Sequence, residues 1–482
     1  MNQEASDRVG PLDDEYHWLS QMNKAANVAL LEAGIIDMAT ARNNARTIAA
    51  LDLAMLRPGV VRTGDYQQIE PQLIAIGGIE VSTLHCGRSR VDIVATSRRL
   101  LLRPAILGAL DVLNAARQAL MDLGQRHKRS LLPVYTQGRQ SAGVPVGHYI
   151  SAYTAALDVE FDNLKQAYDT VNQSPLGAGA VATSSFPLNR QRLSDLLGFA
   201  CVIENSLFAN ELSIIGAGAK VVSAATSAAI IVGTLASDLE SQYARTTPWF
   251  TIAEGPGLTG TSSSMPHKVN PTLLNHVRQQ ASVLIGTAMT YTLRSHNVPH
   301  GMPDSKRSEP NLAMAQYTQL MNDVARLVRH LDFDEAVARQ EVDAEYSATP
   351  ELADVLQQLH NVPFHVGHHF ASALVRYGKA NGWRPAHFPY DVARSLYADS
   401  ARQAGILPAV LPLDEDAFKT SLSSANLVAR AACLGGPQPA EVDRMMTAGL
   451  ARIAADAAWL TKQRDALAAA SALLDTAFAS TQ

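Results

Sequence analysis

The side chains whose types and spacing most clearly suggest chemistry lie in the stretch TSSSMPHKVNP, residues 261–271. Four hydroxyl residues lead towards a lysine, and Asn270 stands directly before Pro271. Asparagine is a favoured helix N-cap and proline a favoured first helical residue, so the stretch predicts a loop that ends in a helix start. The free N–H groups and the dipole at such a start favour a bound anion. A serine-rich surface linker would have a similar composition, and these residues alone leave that alternative open.

Two other patterns could indicate a ligand or metal site, but the evidence for each is weaker. GPGLTG at 255–260 spells the GxGxxG of dinucleotide sites, but Pro256 fills a variable position and the flanking sequence is helical rather than βαβ. His365, His368 and His369 fall at helical spacing, yet no carboxylate or cysteine completes a metal-ligand set beside them. We therefore predict no metal and no other cofactor.

The composition of the chain points to a small-molecule partner. Its 482 residues carry a formal net charge of −5, which gives no electrostatic reason to expect nucleic acid or an acidic membrane surface. The three cysteines are widely spaced and odd in number, which favours a reducing compartment over a disulfide framework. Neither a signal-peptide pattern nor an uninterrupted apolar stretch of membrane-spanning length is evident, so we expect a cytoplasmic protein.

The elements that must position these residues have helical periodicity. In 148–172 apolar residues recur every three or four positions, the stripe of a long helix that packs against a partner. Comparable patterns run through 21–50, 96–127, 192–243, 271–295 and 311–340. Because strand-type alternation is hard to find, we predict an all-α fold with a bundle of unusually long helices at its centre. We expect the longest pattern, 192–243, to be broken at the GAG of 216–218.

Several stretches together resemble the fumarase/aspartase superfamily. SSSMPHKVNP is similar to its signature loop, Gly-Ser-Ser-x-Met-Pro-x-Lys-x-Asn. LHCGRSRVDIVAT at 84–96 resembles the first conserved region in the form that argininosuccinate lyases carry, and PVYTQGRQSAGVPVGH at 133–148 resembles the second. Similar sequence motifs at 174–199, 348–369 and 427–436 extend the resemblance over most of the chain.

This resemblance implies a three-domain, all-α fold with a central long-helix bundle. It also implies a C–N or C–O lyase that releases fumarate, assembled as a homotetramer in which each active site takes its three conserved regions from three subunits. We expect an N-terminal helical domain at 1–97, the central bundle at 98–362 and a C-terminal helical domain at 363–482. The expected partner is a small-molecule substrate, with no nucleic acid and no membrane.

The family's functional residues can be matched to positions in this chain. Ser262 matches the serine that acts as the base, and it can do so only if its alkoxide is stabilised by a nearby cation and a helix dipole. Lys268 offers that cation, and Lys268 and Asn270 match the lysine and asparagine that bind a carboxylate. The alternative for Lys268 is a solvated surface charge.

The first two conserved regions supply the matched substrate-binding residues. Ser89 and Arg90 match the pair that grips the fumarate-forming part, and an arginine fork suits a carboxylate. Thr136 matches a substrate-binding threonine. A basic surface turn with structural ion pairs is the alternative for Ser89 and Arg90.

The chain also departs from the family pattern. Thr261 replaces a glycine of the loop, and Val91 replaces an asparagine. Gln137 occupies the position of a histidine implicated in proton transfer and substrate binding, and glutamine cannot exchange a proton near neutral pH. Water, the substrate's own ionised groups or an unmatched side chain must therefore protonate the leaving amine.

Further departures lie where argininosuccinate lyase would bind its guanidino group. In our register Lys24, Asn27 and Arg139 replace neutral residues or histidine, and MPDSKR at 302–307 adds Arg307. Since like charges repel, this pocket favours an anionic amine such as an amino acid or aminopolycarboxylate over a guanidinium. The alternative is that these cations pair with helix carbonyls or surface carboxylates.

The sequence thus predicts a C–N lyase that cleaves an N-succinyl amino compound to fumarate and an amine, or runs in reverse. Ethylenediamine-disuccinate-type lyases are a branch that it could join. Argininosuccinate lyase is the alternative, opposed by Gln137, Val91 and the 302–307 segment. A catalytically inactive, crystallin-like structural protein is the alternative of another class, opposed by the retained serine, lysine and asparagine of the loop.

Overall fold

The computed structural model describes residues 14–302 and 308–482. Its helices are α1 (Glu15–Glu32), α2 (Met38–Met55), α3 (Tyr66–Gly77), α4 (Arg90–Arg126), α5 (Val146–Val171), α6 (Arg190–Leu196), α7 (Ser213–Tyr243), α8 (Thr272–Ser295), α9 (Glu309–Arg329), α10 (Glu335–Val342), α11 (Thr349–His360), α12 (Phe364–Ala380), α13 (Tyr390–Gln403), α14 (Glu415–Ser421), α15 (Ser424–Arg430) and α16 (Pro439–Ala479). The strands are β1 (Leu131–Thr136), β2 (Arg139–Pro145), β3 (Gln173–Ser174), β4 (Cys201–Val202), β5 (Phe250–Ile252), β6 (Gly260–Thr261), β7 (Val269–Asn270) and β8 (Leu331–Phe333). The predicted all-α fold class is confirmed.

Five long helices, α4, α5, α7, α8 and α9, form the central bundle. Helix α4 packs against α5 and α9, and α7 packs against α5, α8 and α9. Small and branched apolar side chains fill the space between them, among them Ala225, Ala229 and Leu320, all fully buried. At about 1.5 Å per residue, the 37 residues of α4 make the bundle about 55 Å long.

The two ends of the bundle carry different structures. At what we call the N-domain end, the start of α4 packs on α1 and α3, and a second core joins these helices to α2 and α6. At the other end, β1 and β2 connect α4 to α5, and β5 after α7 pairs with β8 after α9. We call this second end the hairpin end, after the β1–β2 hairpin.

A third core lies in the C-terminal part of the chain, between Tyr346 and Leu422. Helix α16 then returns along α4 and α5 to the N-domain end, where Leu474 and Phe478 join the second core. The domain limits drawn from the sequence stay a prediction, and the division at 97/98 falls inside α4.

The expected break at GAG, residues 216–218, is wrong, because these residues lie within the continuous helix α7. The pattern is interrupted earlier, after Leu196, where β4 and a turn of π-helix precede α7. A Cβ on Gly218 would stand 2.1 Å from the Tyr291 hydroxyl of α8. The glycine therefore permits close helix packing and does not interrupt the helix.

Helix α7 differs from the expectation that no apolar stretch is long enough to span a membrane. With the turn before it, Phe208–Tyr243 is long and apolar enough to cross a membrane by length and composition, and half of its most apolar window is buried in the fold. No stretch of this kind was predicted from the sequence. A helix that packs on three neighbours in a bundle core needs the same composition.

The β1–β2 hairpin was not foreseen from the sequence. Its strands are antiparallel, and Thr136 pairs with Arg139 across a two-residue turn. Both turn residues have positive φ, 50° at Gln137 and 72° at Gly138, as the turns that suit a twisted hairpin require. Asparagine more commonly occupies the first of these positions, which made the turn hard to recognise.

Candidate active site

The signature loop projects from the hairpin end of the bundle, directly before α8. Strands β6 and β7 close it by pairing Gly260 with Asn270 and Thr261 with Val269, so residues 262–268 form an irregular, largely exposed turn. The adjoining chain is fixed to α9, since Arg326 donates to the carbonyl of Gly257. A short β6–β7 hairpin thus carries the loop, and a hydrogen bond links the chain before it to α9.

Ser262 is partly shielded, whereas residues 263–268 are exposed. Its Oγ accepts hydrogen bonds from the backbone N–H of Met265 at 3.1 Å and, more weakly, of Ser264 at 3.4 Å. Donors directed at one oxygen stabilise negative charge on it. The structure thus places two backbone N–H groups at the Ser262 oxygen, in addition to the cation and the helix dipole that the sequence indicated.

Lys268 lies at the end of the same turn with its side chain exposed. Its backbone N–H donates to the carbonyl of Met265 at 3.0 Å, which ties it to the residue that donates to Ser262. The ammonium group forms no ion pair with the residues of 14–302 and 308–482. It is available for an anionic ligand.

The predicted N-cap at Asn270 is wrong by one position. Helix α8 begins at Thr272, Pro271 is its N-cap with φ −76° and ψ 68°, and no side chain caps the helix. The backbone of Asn270 pairs with Gly260 in the β6–β7 ladder, which holds it outside the helix. Asn270 still stands beside the start of α8, so its match to the carboxylate-binding asparagine is unaffected.

The first conserved region forms the N-terminus of α4, at the N-domain end. Ser89 caps the helix by accepting from the N–H of Val91 at 3.3 Å, and its own N–H donates to Asp92 at 2.8 Å. This is a capping box, with serine and an acidic residue three positions apart. The capping role fixes the backbone of Ser89 and Arg90.

Asp92 is a structural residue that the sequence reading did not single out. Its buried carboxylate also accepts from the N–H groups of Gly177 at 2.9 Å and Gly179 at 3.0 Å. Burial outweighs these hydrogen bonds and raises the pKa of Asp92 to about 6. Asp92 thereby joins the first conserved region to the segment that follows β3.

The two arginines of GRSR have different environments. Arg88 is buried and donates to Asn23 and to backbone carbonyls, so it holds the fold together. Arg90 is half exposed and pairs with Asp65 at 3.2 Å, with a further hydrogen bond to Gln67. Of the two, Arg90 is the one that is exposed, and its partner in the structure is the carboxylate of Asp65.

The second conserved region forms the tip of the β1–β2 hairpin, where Thr136, Gln137 and Arg139 are all exposed. The strands below the tip pack on α10 and α15, so the tip stands on a fixed base. No carboxylate of the described residues pairs with the guanidinium of Arg139. The hairpin thus presents an amide and a free positive charge side by side.

Lys24 has a different environment from Arg139. Its ammonium pairs with Asp52 of α2 at 3.1 Å and lies over the ring of Phe478. Asn27 is fully buried and bonds to Ala41 and Thr481, which is a packing role. For Lys24 the sequence left two alternatives open, and the structure shows the one in which it pairs with a carboxylate. Arg307 lies outside the described residues.

The structure brings the predicted site residues together in two groups. Ser262, Lys268 and Asn270 share one loop at the hairpin end, where the tip bearing Thr136 also lies. Ser89 and Arg90 stand at the opposite end of α4, about 55 Å away along the helix. If all of these residues act in one site, more than one copy of the chain must contribute to it.

Within residues 14–302 and 308–482, no three histidine, cysteine or acidic side chains lie close enough together to hold a metal ion. The ring centroids of His365 and His369 lie 4.2 Å apart, with the ring planes tilted by 50°, on the exposed face of α12, and His368 lies beside them. The 255–260 segment is a turn anchored by Gly255 and Thr259, with no βαβ unit around it.

Comparisons with known proteins agree with this architecture. A family model described as lyase matches residues 39–286. Argininosuccinate lyase 2 of Agrobacterium fabrum is 28% identical over 434 residues, covering 87% of this chain and 83% of that protein. Argininosuccinate lyase of Methanosarcina acetivorans is 29% identical over 432 residues, with the same coverage of each chain, 87% and 83%.

Two solved structures share the fold. EDDS lyase in complex with formate superposes with a TM-score of 0.88 at 24% identity, covering 97% of this chain and 92% of that chain. A fumarate lyase from Mesorhizobium sp. BNC1 superposes with a TM-score of 0.71 at 16% identity, covering 90% and 96%. The long-helix bundle is therefore shared with proteins of distant sequence.

Proposed function

This chain belongs to the lyase family, in the fumarase/aspartase superfamily, as a carbon–nitrogen lyase that releases fumarate, and from that premise we propose that its amine product is anionic, with a carboxylate and no guanidinium. The substrate is then an N-succinyl compound in which the amine nitrogen is bonded to carbon 2 of succinate. The observation that carries this proposal is the exposed, unpaired guanidinium of Arg139 beside Gln137 at the hairpin tip. A cationic product such as arginine would be repelled there, and an anionic one attracted.

We assign the proton abstraction to Ser262. Its alkoxide removes a proton from the carbon beside one succinyl carboxylate, and the released electron pair forms the double bond of fumarate as the C–N bond breaks. The N–H groups that donate to Ser262 Oγ support this role because they stabilise the alkoxide. Lys268 and Asn270 bind the carboxylate on which negative charge develops.

The other succinyl carboxylate is assigned to Ser89 and Arg90. A guanidinium fork suits a carboxylate, and Arg90 already holds one, that of Asp65. Thr136 adds a hydroxyl from the hairpin. The length of α4 supports a site completed by neighbouring subunits, so we propose a homotetramer with shared active sites.

The exposed surface of the bundle supports this assembly. Large apolar side chains of α7 and α8 reach solvent in the single chain, among them Ile230, Val283, Met289 and Leu293. Burying such a face between copies removes it from water. We expect the assembled enzyme in the cytoplasm.

We assign the source of the proton on the leaving nitrogen to the substrate itself, without a protein acid. An alkylammonium has a pKa well above 7, so the nitrogen of an N-succinyl amine is already protonated at neutral pH. When the C–N bond breaks, the electron pair stays on nitrogen and the product leaves as a neutral amine. Gln137 needs only to accept a hydrogen bond from the ammonium, which its side-chain carbonyl can do.

Argininosuccinate lyase is the second candidate, since relatives of 28% and 29% identity carry that name. The two candidates differ in the charge of the amine product. The test is fumarate release, followed by ultraviolet absorbance, from N-succinyl amino acids, a disuccinylated diamine and argininosuccinate. We expect turnover of the anionic amines. Preference for argininosuccinate would overturn the proposed specificity, and release from none of them would overturn the proposed substrate class.

A further inference from the structure

The residues directly below the tip of the β1–β2 hairpin are Tyr135 and Gln140, which pair across the two strands. The tip pair itself is Thr136 and Arg139. Successive residues of a strand point to opposite faces, so the side chains of Tyr135 and Gln140 lie on the face away from Thr136 and Arg139. Whatever holds the lower pair therefore leaves the proposed substrate-binding face free.

The C-terminal end of α10 holds both side chains of the lower pair. The hydroxyl of Tyr135 donates to Oε1 of Glu341 at 3.1 Å. The side-chain amide of Gln140 donates to the carbonyl of Val342 at 2.9 Å and to the hydroxyl of Ser347 at 3.1 Å. Consecutive residues of α10 thus hold the two strands of the hairpin from one face.

Arg245, in the chain between α7 and β5, contacts the same tyrosine. Its guanidinium donates to the hydroxyl of Tyr135 at 2.7 Å and pairs with Glu341. It also lies 5.4 Å from the ring centroid of Tyr135 and 5.0 Å from that of Trp249, and the two rings stack on each other. Both the hydroxyl and the ring of Tyr135 are therefore fixed.

Glu341 is the residue on which this arrangement depends. Burial, together with the charge of Glu341, raises the pKa of Tyr135 to about 12, so the phenol keeps the proton that it donates. Without the carboxylate of Glu341, the Tyr135 hydroxyl would lose its acceptor and Arg245 would lose its counter-charge.

The end of α10 is itself attached to the bundle. Strand β5, which follows Arg245, pairs with β8, which precedes α10. The N–H of Asp334, the N-cap of α10, donates to the carbonyl of Trp249 at 2.8 Å. All of these contacts lie within one chain and none needs an open surface, so they do not depend on which faces the subunits cover.

We propose that Glu341 is a positioning residue: by holding Tyr135 and Arg245, it fixes the tip of the hairpin. The tip then presents Thr136 and Arg139 to the substrate in one geometry, and this step rests on the proposed function. Glu341 acts through β1 and does not touch the substrate. A displacement of about 1 Å at a substrate-positioning group can cost on the order of a hundredfold in rate, so such a support affects the reaction.

The first measurement needs no substrate. It is hydrogen–deuterium exchange of the hairpin amides, residues 131–145, followed by mass spectrometry in the full chain. Glu341→Ala should speed exchange of the slow hairpin amides at least tenfold, because the tip loses its support. Glu335→Ala, which changes an exposed glutamate in the first turn of the same helix, is the matched control and should leave exchange unchanged. Tyr135→Phe removes only the hydroxyl and should act in the same direction, so the test stands even where Glu341→Ala does not fold.

The second measurement is the ratio of kcat/KM for an N-succinyl amino acid to that for the same N-succinyl amine without the carboxylate of the amino acid. Glu341→Ala should lower this ratio at least fivefold, because Arg139 is displaced. Glu341→Gln, which keeps an acceptor for Tyr135, should retain most of the ratio. In the Arg139→Gln background, Glu341→Ala should change the ratio no further. A residue with a structural role alone would lower both values of kcat/KM equally.

Unchanged hairpin exchange in both Glu341→Ala and Tyr135→Phe would overturn the positioning role. A wild-type preference for the anionic substrate that Glu341→Ala leaves intact would overturn it as well. Faster exchange combined with a wild-type ratio near one would overturn the proposed anionic specificity instead, and it would support the hold of Glu341 on the tip.

Discussion

The backbone N–H of Met265 donates to the Oγ of Ser262 across 3.1 Å, within a turn closed by the pairing of Thr261 with Val269. The geometry directs a donor at the oxygen that must carry negative charge if Ser262 is the base. The same turn ends at Lys268, so the proposed base and the proposed carboxylate-binding cation are positioned by one short hairpin.

Ser262→Ala should lower kcat more than tenfold without a change in fold, since the residue lies on a surface loop outside the hydrophobic cores. Ser264→Ala, which removes an exposed hydroxyl of the same loop, is the matched control and should retain most activity. Fumarate release and circular dichroism measure the two properties. A Ser262→Ala enzyme with a tenth or more of the normal rate would exclude Ser262 as the base.

Mixing Ser262→Ala protein with Arg90→Ala protein should restore activity above the sum of the two variants measured separately. The two positions belong to opposite ends of the bundle in one chain, so a shared site can contain an intact copy of each residue only in a hybrid assembly. Subunit exchange must be verified by mass spectrometry. Exchange without recovery would show that both residues of one site come from the same chain.

Asp92→Asn should change how stability depends on pH. The pKa of Asp92 is raised to about 6 in the folded chain from an ordinary value near 3.8. The folded state therefore binds the proton more tightly, and the free energy of unfolding falls as pH rises from about 4 to about 6. Each unit of pKa difference corresponds to about 1.4 kcal/mol.

Urea unfolding at several pH values, compared between the wild type and Asp92→Asn, measures this contribution. The difference between the two proteins should vary between pH 4 and 6 and be constant above pH 7. The wild type should lose stability relative to the variant as pH rises. A difference that is constant throughout, or that varies in the opposite sense, would contradict the raised pKa.

Gly218→Ala should destabilise the bundle by about 1–3 kcal/mol, because the new methyl group would overlap the Tyr291 hydroxyl and force α7 and α8 apart. Gly216→Ala is the matched control in the same helix, where an added Cβ has no neighbour within 4 Å. There alanine should be neutral or stabilising by up to about 1 kcal/mol. Equal effects of the two substitutions on thermal unfolding would argue against close packing at Gly218.

The sequence predicted those features of the fold and the site that depend on residues close together in the chain. Helical periodicity indicated the long helices, and Ser262, Lys268 and Asn270 lie together because they are neighbours in the chain. The N-cap was misplaced because Asn270 pairs with Gly260, ten residues away, and this pairing has no signal in composition.

Contacts between distant residues could not be predicted from one sequence. Asp92 bonds to the N–H groups of Gly177 and Gly179, more than eighty positions later, although its capping box with Ser89 was visible as Ser-x-x-Asp. Lys24 and Arg139 were read alike as added positive charge. Only the fold shows that Asp52 of a neighbouring helix pairs with Lys24 while Arg139 stays free.

The central claim, that Arg139 selects an anionic amine, is tested most directly by kcat/KM of Arg139→Gln for two substrates: an N-succinyl amino acid and the same N-succinyl amine without the carboxylate of the amino acid. A charge-assisted contact contributes about 1.5–3 kcal/mol, so the wild-type preference for the anionic substrate should fall by roughly tenfold or more. Arg126→Gln, which removes an exposed guanidinium at the end of α4, is the control and should keep the wild-type ratio. An unchanged ratio in Arg139→Gln would contradict the account.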